Sequence, residues 1–189
     1  MLGLMHSRSF QNDPKHLGFV LARYKFVAKM LDGFDRVLEI GCGDCTGASL
    51  VQAVVKEWRG IDIDEELLPK GRQTAVADIL NGRWLDGGLF DAIYALDVLE
   101  HISEEDRALR NIKASMKDRG TLIVGMPSLE SQPFASEFSA KHHVNCKTEK
   151  QLRQTLRRHF SNVYIFGMND ETLHTGFGPM CHYRLAIAC

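Results

Sequence analysis

The sequence predicts a single α/β domain, a mostly parallel sheet with helices on both faces, and three observations carry that expectation. Short apolar, β-branched runs alternate with stretches of helical period, the pattern of strand-helix-strand units. The first such run ends directly in a turn bearing Gly41, Gly43 and Gly47, and a helical pattern resumes at once. Third, 189 residues with 44% hydrophobic residues, 25% charged and 5 prolines suit one compact domain and are too few for two. Residues 1–189 therefore form one unit, with 1–12 as a loose arm.

In chain order, residues 14–31 place Leu17, Val20, Leu21, Tyr24, Val27, Ala28 and Leu31 at steps of three and four. That is the spacing of an amphipathic helix, with Pro14 in its first turn and Gly33 to close it. Val37, Leu38, Glu39 and Ile40 make the first strand, and residues 48–55 resume a helix. Residues 58–63 read as the second strand, 65–73 as a helix, 74–77 as the third strand and 90–96 as the fourth. A helix over 104–117, a strand over 120–124 and a helix over 148–159 follow; Thr148 and Gln151 form a capping-box pair at the start of the last. Residues 163–166 and 183–188 are the closing strands. Between them, residues 167–182 hold Gly167, Gly176, Gly178 and Pro179 with no clear period, so a functional loop overhanging the site is expected.

Lys+Arg 23 against Asp+Glu 24 leaves a formal net charge of -1, so no global basic field draws the chain to nucleic acid or anionic lipid. The apolar stretches are broken by charge well short of the ~20 residues a spanning helix needs, and no apolar signal core opens the chain. A cytoplasmic location is the expectation. The five cysteines (Cys42, Cys45, Cys146, Cys181, Cys189) are odd in number and three sit in apolar or glycine-rich surroundings, which predicts reduced thiols. Cys42 and Cys45 are formally a C-x-x-C, but both fall within the glycine turn and no second pair exists, which argues against a redox or zinc pair.

A glycine turn between strand and helix lets backbone approach a nucleotide-like ligand closely. Its G-x-G-x-x-x-G spacing differs from the dinucleotide fingerprint. Asp62, about twenty positions after Gly41 at the end of the second strand, is placed to accept from two ribose hydroxyls, and Asp78, ending the third, suits an adenine amino group. Taken singly, each aspartate reads equally well as a cap for the helix that follows it.

With these residues named, the stretch from Arg36 to Leu156 resembles the class I S-adenosylmethionine-dependent methyltransferases. Val37-Leu-Glu-Ile-Gly-Cys-Gly43 is similar to their cofactor-binding first motif, Gly60-Ile-Asp-Ile-Asp64 to the ribose-binding strand, and Ala77-Asp78-Ile79 to the adenine contact. Residues 90–102 and 120–128 are similar to the fourth-strand motif and to the fifth strand with its loop. The resemblance implies a Rossmann-like, seven-stranded sheet with the last strand antiparallel. It also implies S-adenosylmethionine as cofactor, with Glu39, Gly41, Gly43, Asp62, Ile63, Asp78, Ile79 and Leu96 binding it. The acceptor implied is a sugar, a nucleotide-linked compound or another small polar metabolite, methylated on oxygen by a monomer or homodimer. Arg23 and Tyr24 could line the methionine end, though the helical period makes Tyr24 equally a core residue.

Asp97, Glu100 and His101 follow the fourth strand at offsets of three and four, on one face if the chain turns helical. His101 is a candidate base, with an unperturbed pKa near ~6.5. His143, in a segment similar to the His-x-x-x-x-Thr of small-metabolite O-methyltransferases, is the second, because residues 127–140 are long enough to return the chain over the sheet edge. His142 reads as solvated. In some relatives, resembling small-RNA 2′-O-methyltransferases and ubiquinone-pathway enzymes, such a segment holds a divalent ion. Asp97, Glu100, His101 and His143 would be the ligands here; the favoured expectation is no metal. Lys150, Arg153, Arg157 and Arg158 form a basic helix face that is ordinarily just solvated. The competing readings are an RNA or protein methyltransferase, a nicotinamide dehydrogenase, and a cofactor-binding subunit without chemistry of its own.

Overall fold

A computed structural model of the protein describes residues 11, 13–71, 73–176 and 178–189. Apart from Gln11, the loose arm expected over 1–12 lies outside the described residues. One eight-stranded sheet runs through the molecule in the order β3-β2-β1-β4-β5-β8-β6-β7. Its strands are β1 (Arg36–Ile40), β2 (Glu57–Asp62), β3 (Thr74–Val76), β4 (Phe90–Leu96), β5 (Met116–Pro127), β6 (Val163–Asn169), β7 (Thr172–His174) and β8 (Tyr183–Ala188). The strands β1 to β5 pair in parallel, while β8 lies antiparallel between β5 and β6. The reversed last strand is as expected.

Alternation along the strands divides the core in two. Val37, Tyr94 and Ile123 face one side, where α1 (Pro14–Met30) and α2 (Ala48–Gln52) cover them with Val20, Tyr24, Val27 and Val51. Leu38, Ile93 and Leu122 face the other, against Leu109 and Ile112 of α3 (Glu105–Ala114) and Leu152 and Leu156 of α5 (Glu149–Leu156). Strands buried on both faces are why β1 and β4 read as continuous apolar runs. Asp13 caps α1 by accepting from Lys15 N, and the Thr148–Gln151 capping box opens α5 as expected. Among the described residues no helix is long and apolar enough to cross a membrane.

Three expectations are corrected. Where a helix was expected over 65–73, residues 65–71 make turns, with bonds from Leu67 N to Asp64 O and Leu68 N to Glu65 O, because Pro69 offers no amide and disfavours helix at Leu68. None of the described residues of 167–182 lines the large cavity, and residues 167–174 are no loop. They complete β6, turn at Asp170 (φ +51°), pair back as β7 and add an eighth strand at the sheet's far edge. In β6, position 167 is glycine because a Cβ would meet the His174 ring at 2.7 Å and Cys181 Cβ at 2.9 Å. Finally, a short helix, α4 (Glu137–His142), stands where only a return of the chain was expected; Ser136 caps it by accepting from Ser139 N.

Candidate functional site

The order of strands reverses between β1 and β4, so connections leave in opposite directions and a crevice opens at their carboxyl ends. A cavity of about 720 Å3 occupies it, walled by α1, the turns after β1, β2, β3 and β4, and α4. The glycine turn forms its floor. Gly41 N and Cys42 N both donate to Ile61 O (2.8 and 3.1 Å). Gly41 sits at φ +74°, and a Cβ there would lie 2.3 Å from Cγ2 of Val98, so only glycine lets the turn after β1 approach the turn after β4. Gly43 N donates to Asp62 Oδ2 (2.8 Å), tying the turn to the end of β2. Gly47 serves a different purpose: its missing Cβ leaves room for the Tyr24 ring, which that atom would meet at 2.1 Å.

Asp62 and Asp78 line the cavity, and each also accepts from a backbone amide two residues on: Asp62 Oδ1 from Asp64 N (3.0 Å), Asp78 Oδ1 from Leu80 N (2.8 Å). Asp78 thus caps the 3-10 turn Ile79–Asn81 as well as lining the cavity, whereas Asp62 bonds a turn with no helix after it. Between them Ile63 is 73% exposed and Ile79 is buried, an apolar pair beside two carboxylates. Leu96 closes the base of the crevice.

Glu39 is placed elsewhere than expected. It is 1% exposed, does not reach the cavity wall, and accepts from Tyr24 Oη (2.5 Å) and Tyr94 Oη (2.6 Å), the latter in turn accepting from Trp58 Nε1 (3.0 Å). Burial raises its pKa to about 8 against the opposing effect of these donors.

At the opposite end of the crevice Asp97 adopts φ +57°, its amide donating to Gly125 O (2.9 Å). Its Oδ2 accepts from Arg23 Nη1 of α1 at 2.6 Å, and the guanidinium stacks on the Tyr183 ring at 3.8 Å. The chain then makes one 3-10 turn, Leu99–His101. The carbonyl of Glu100 accepts from both Val144 N and Asn145 N (2.8 and 2.9 Å), strapping the segment after α4 onto this turn. The strap brings His143 to His101, with ring centroids 5.2 Å apart. His101 Nδ1 meets His142 O at 3.0 Å and His143 Nδ1 meets Gln132 Oε1 at 2.9 Å.

Glu100 is 1% exposed and its Oε2 has no hydrogen-bond partner; burial, then the neighbouring Asp97, push its pKa well above the usual carboxylate range. Burial, then His101, lower that of His143. One ligand atom each from Glu100, His101 and His143 lies within 4.8 Å of the others. Among the described residues all five cysteines are free, and the Cys42 thiol is held far above its ordinary pKa by a hydrogen bond with Cys45 and by burial, so Cys42 offers no thiolate at neutral pH.

A family model described as a methyltransferase domain matches residues 13–160. The chain belongs to the methyltransferase domain family. No curated protein matches this methyltransferase in sequence. Solved structures match it in fold. A SAM-dependent methyltransferase from Archaeoglobus fulgidus is similar at TM-score 0.71 and 19% identity over 92% of this chain and 93% of that one. A possible histamine N-methyltransferase from Thermotoga maritima is similar at TM-score 0.70 and 17% identity, covering 97% and 93%. The plantazolicin methyltransferase in complex with SAH is similar at TM-score 0.71 and 12% identity, covering 97% and 88%. The nicotinamide dehydrogenase reading falls with the family match.

The methyltransferase thus brings Gly41, Gly43, Asp62, Ile63, Asp78, Ile79, Leu96, His101 and His143 to one cavity, leaving Glu39 behind its wall. His16, Val20 and Arg23 join them from α1. Arg23 was expected there with Tyr24, which also lines the cavity; a signal for His16 and Val20 existed, since 16, 20 and 23 share one helical face. Gln132, which holds His143, had none. His142 is exposed, as its solvated reading required, yet its carbonyl holds His101. On the basic helix Arg153 turns to Glu149 Oε1 (3.0 Å) and Val163 O (2.9 Å), while Lys150, Arg157 and Arg158 are exposed.

Proposed function

We propose that the cavity binds S-adenosylmethionine and that the enzyme transfers its methyl group to an oxygen of a small polar acceptor. The observation that carries this reading is the division of one cavity into two chemically different ends. Asp62, Ile63, Asp78 and Ile79 supply carboxylate acceptors beside an apolar surface, which suits the ribose hydroxyls, the adenine ring and its amino group. At the other end the Arg23–Asp97 pair offers a cation and an anion to the carboxylate and ammonium of the methionine portion. Gly41 and Gly43 give close backbone approach between the two. Glu39 acts only indirectly, by fixing Tyr24 and Tyr94 under the turn.

When bound, the cofactor supplies an electrophilic methyl group on a sulfonium. This chain's residues hold the acceptor at the His101–His143 edge and receive its proton. Because both Nδ1 atoms meet carbonyl oxygens, each neutral ring has Nε2 left to accept that proton. Positioning carries much of the acceleration, since the donor is already activated.

A second reading is favoured by the unpartnered Oε2 of Glu100: Glu100, His101 and His143 fit a divalent ion that would orient the acceptor oxygen. Asp97 is engaged by Arg23, so the group fits with three side-chain ligands rather than four. Calorimetric titration of metal-stripped protein with S-adenosylhomocysteine tests the first reading: binding, with NAD as the silent control, is expected, and no binding would refute it. Titrating magnesium or manganese into the same sample tests the second. Heat from the wild type but not from His101→Ala supports the ion, and no heat from either removes it.

A further inference from the structure

From the geometry around Ser128 we infer that Gln132 is a positioning residue, fixing the tautomer of His143 so that the ring presents an unprotonated Nε2 to the acceptor. Ser128 is fully buried, with its amide donating to His182 O (2.9 Å) and its hydroxyl to Cys181 O (2.6 Å), so the segment leading into β8 holds it from two sides. Its own carbonyl oxygen is thereby set in place, and a carbonyl can only accept. Nε2 of Gln132 reaches that oxygen at 3.1 Å, beside the Ser131 hydroxyl at 2.8 Å.

An amide that donates on one side turns its oxygen to the other, and Oε1 of Gln132 lies 2.9 Å from Nδ1 of His143. The flipped amide would set two acceptor oxygens face to face at Ser128 and leave an NH2 against the ring. The unflipped amide is therefore preferred, and Nδ1 must carry the proton. In the neutral ring a proton on Nδ1 leaves Nε2 bare. His143 is also the shared wall between the large cavity and a smaller hollow of about 340 Å3, which Gln132 and Ser131 line. The residue that sets the tautomer thus stands behind the ring rather than on the cofactor's side.

The inference rests on the reading of His143 as the group that receives the acceptor's proton. In that step the hydroxyl proton passes to Nε2, the oxygen forms its bond to the methyl carbon, and the carbon–sulfur bond breaks with its electron pair kept by sulfur. A ring protonated at Nε2 would face the hydroxyl with a donor where an acceptor is required.

Long-range proton–nitrogen NMR of metal-free protein labelled with 15N-histidine, at about pH 8 where a histidine is neutral, reads the tautomer directly, with His143→Asn to assign the signal. The wild type should show His143 protonated at Nδ1, Gln132→Ala should shift it toward protonation at Nε2, and Gln132→Leu, which offers no oxygen to Nδ1, should shift it likewise. Affinity for S-adenosylhomocysteine unchanged within about twofold in both variants shows the fold intact. Protonation at Nε2 in the wild type, or a tautomer unmoved in Gln132→Ala, would overturn the inference. Should Gln132→Ala fail to fold, the wild-type and Gln132→Leu spectra decide it. Wild-type protein that shows the Nδ1 tautomer but binds no S-adenosylhomocysteine would remove the cofactor reading while leaving the Gln132 assignment intact.

Discussion

At the scale of single residues, Glu39 carries the sharpest prediction. Its carboxyl is buried among Tyr24, Tyr94 and Trp58, and its folded pKa of about 8 stands above an ordinary value of 4.5. A raised folded pKa means that the native state holds the proton more tightly than the unfolded chain. Its contribution to stability is complete below about pH 4.5, falls as the unfolded chain ionises, and is lost by pH 8, a swing on the order of 4 kcal/mol. Glu39→Gln cannot ionise. Denaturant unfolding of the two proteins from pH 5 to 8 should show the wild type losing ground to the variant as pH rises, and parallel curves would mean that Glu39 is ionised in the folded state. The same residue shows what a sequence withholds about a site. The acids at the ends of β2 and β3 were legible because strand ends and the glycine turn fix where they go. Glu39 also lies on a strand, but its distance from the cavity is set by Tyr24 on another element, and Gln132 acts through a side-chain orientation that no spacing encodes.

At the scale of elements, α1 is both core and cavity wall. Tyr24 packs into the space that Gly47 leaves, Arg23 reaches Asp97, and His16 and Val20 face the cavity. A methyl group at Gly47 would strike the Tyr24 ring, so Gly47→Ala should lift α1 without disturbing the sheet. Hydrogen exchange should report lost protection over residues 14–30 with β1, β4 and β5 unchanged, together with at least about tenfold weaker binding of S-adenosylhomocysteine. Uniform loss of protection would instead make α1 part of a single cooperative unit. Long elements such as α1, β4 and α5 were readable because each buries a full apolar period. The β6–β7 hairpin was not, since β7 is only Thr172–His174 at a sheet edge, and three residues make no period. Residues 65–73 misled in the opposite way: a helix was expected there between two strands, although Leu67 and Leu68 alone give it no apolar period and Pro69 opposes it.

At the scale of the whole molecule, the ligand crevice lies where the two halves of the sheet part, so binding should stabilise the fold as a unit. The β3-β2-β1 half carries the glycine turn and Asp62, the β4-β5 half carries Asp97 and the histidines, and α1 spans them through the Arg23–Asp97 pair. A ligand that bridges both halves and ignores the unfolded chain adds ~2.7 kcal/mol at a hundred times its Kd. For a domain of this size each 1 kcal/mol moves the midpoint by roughly 2–4 °C, so S-adenosylhomocysteine should raise Tm by about 5–10 °C. Arg23→Ala removes the cation expected to meet the methionine carboxylate and leaves Asp97 unpaired. If that weakens binding by about thirtyfold, the same ligand concentration yields under ~1 kcal/mol and about 2 °C. Each protein is compared with its own ligand-free midpoint, which removes the variant's intrinsic loss of stability from the comparison. Equal shifts in wild type and Arg23→Ala would place the methionine end away from α1, and the crevice would then owe its affinity to the β2 and β3 ends alone.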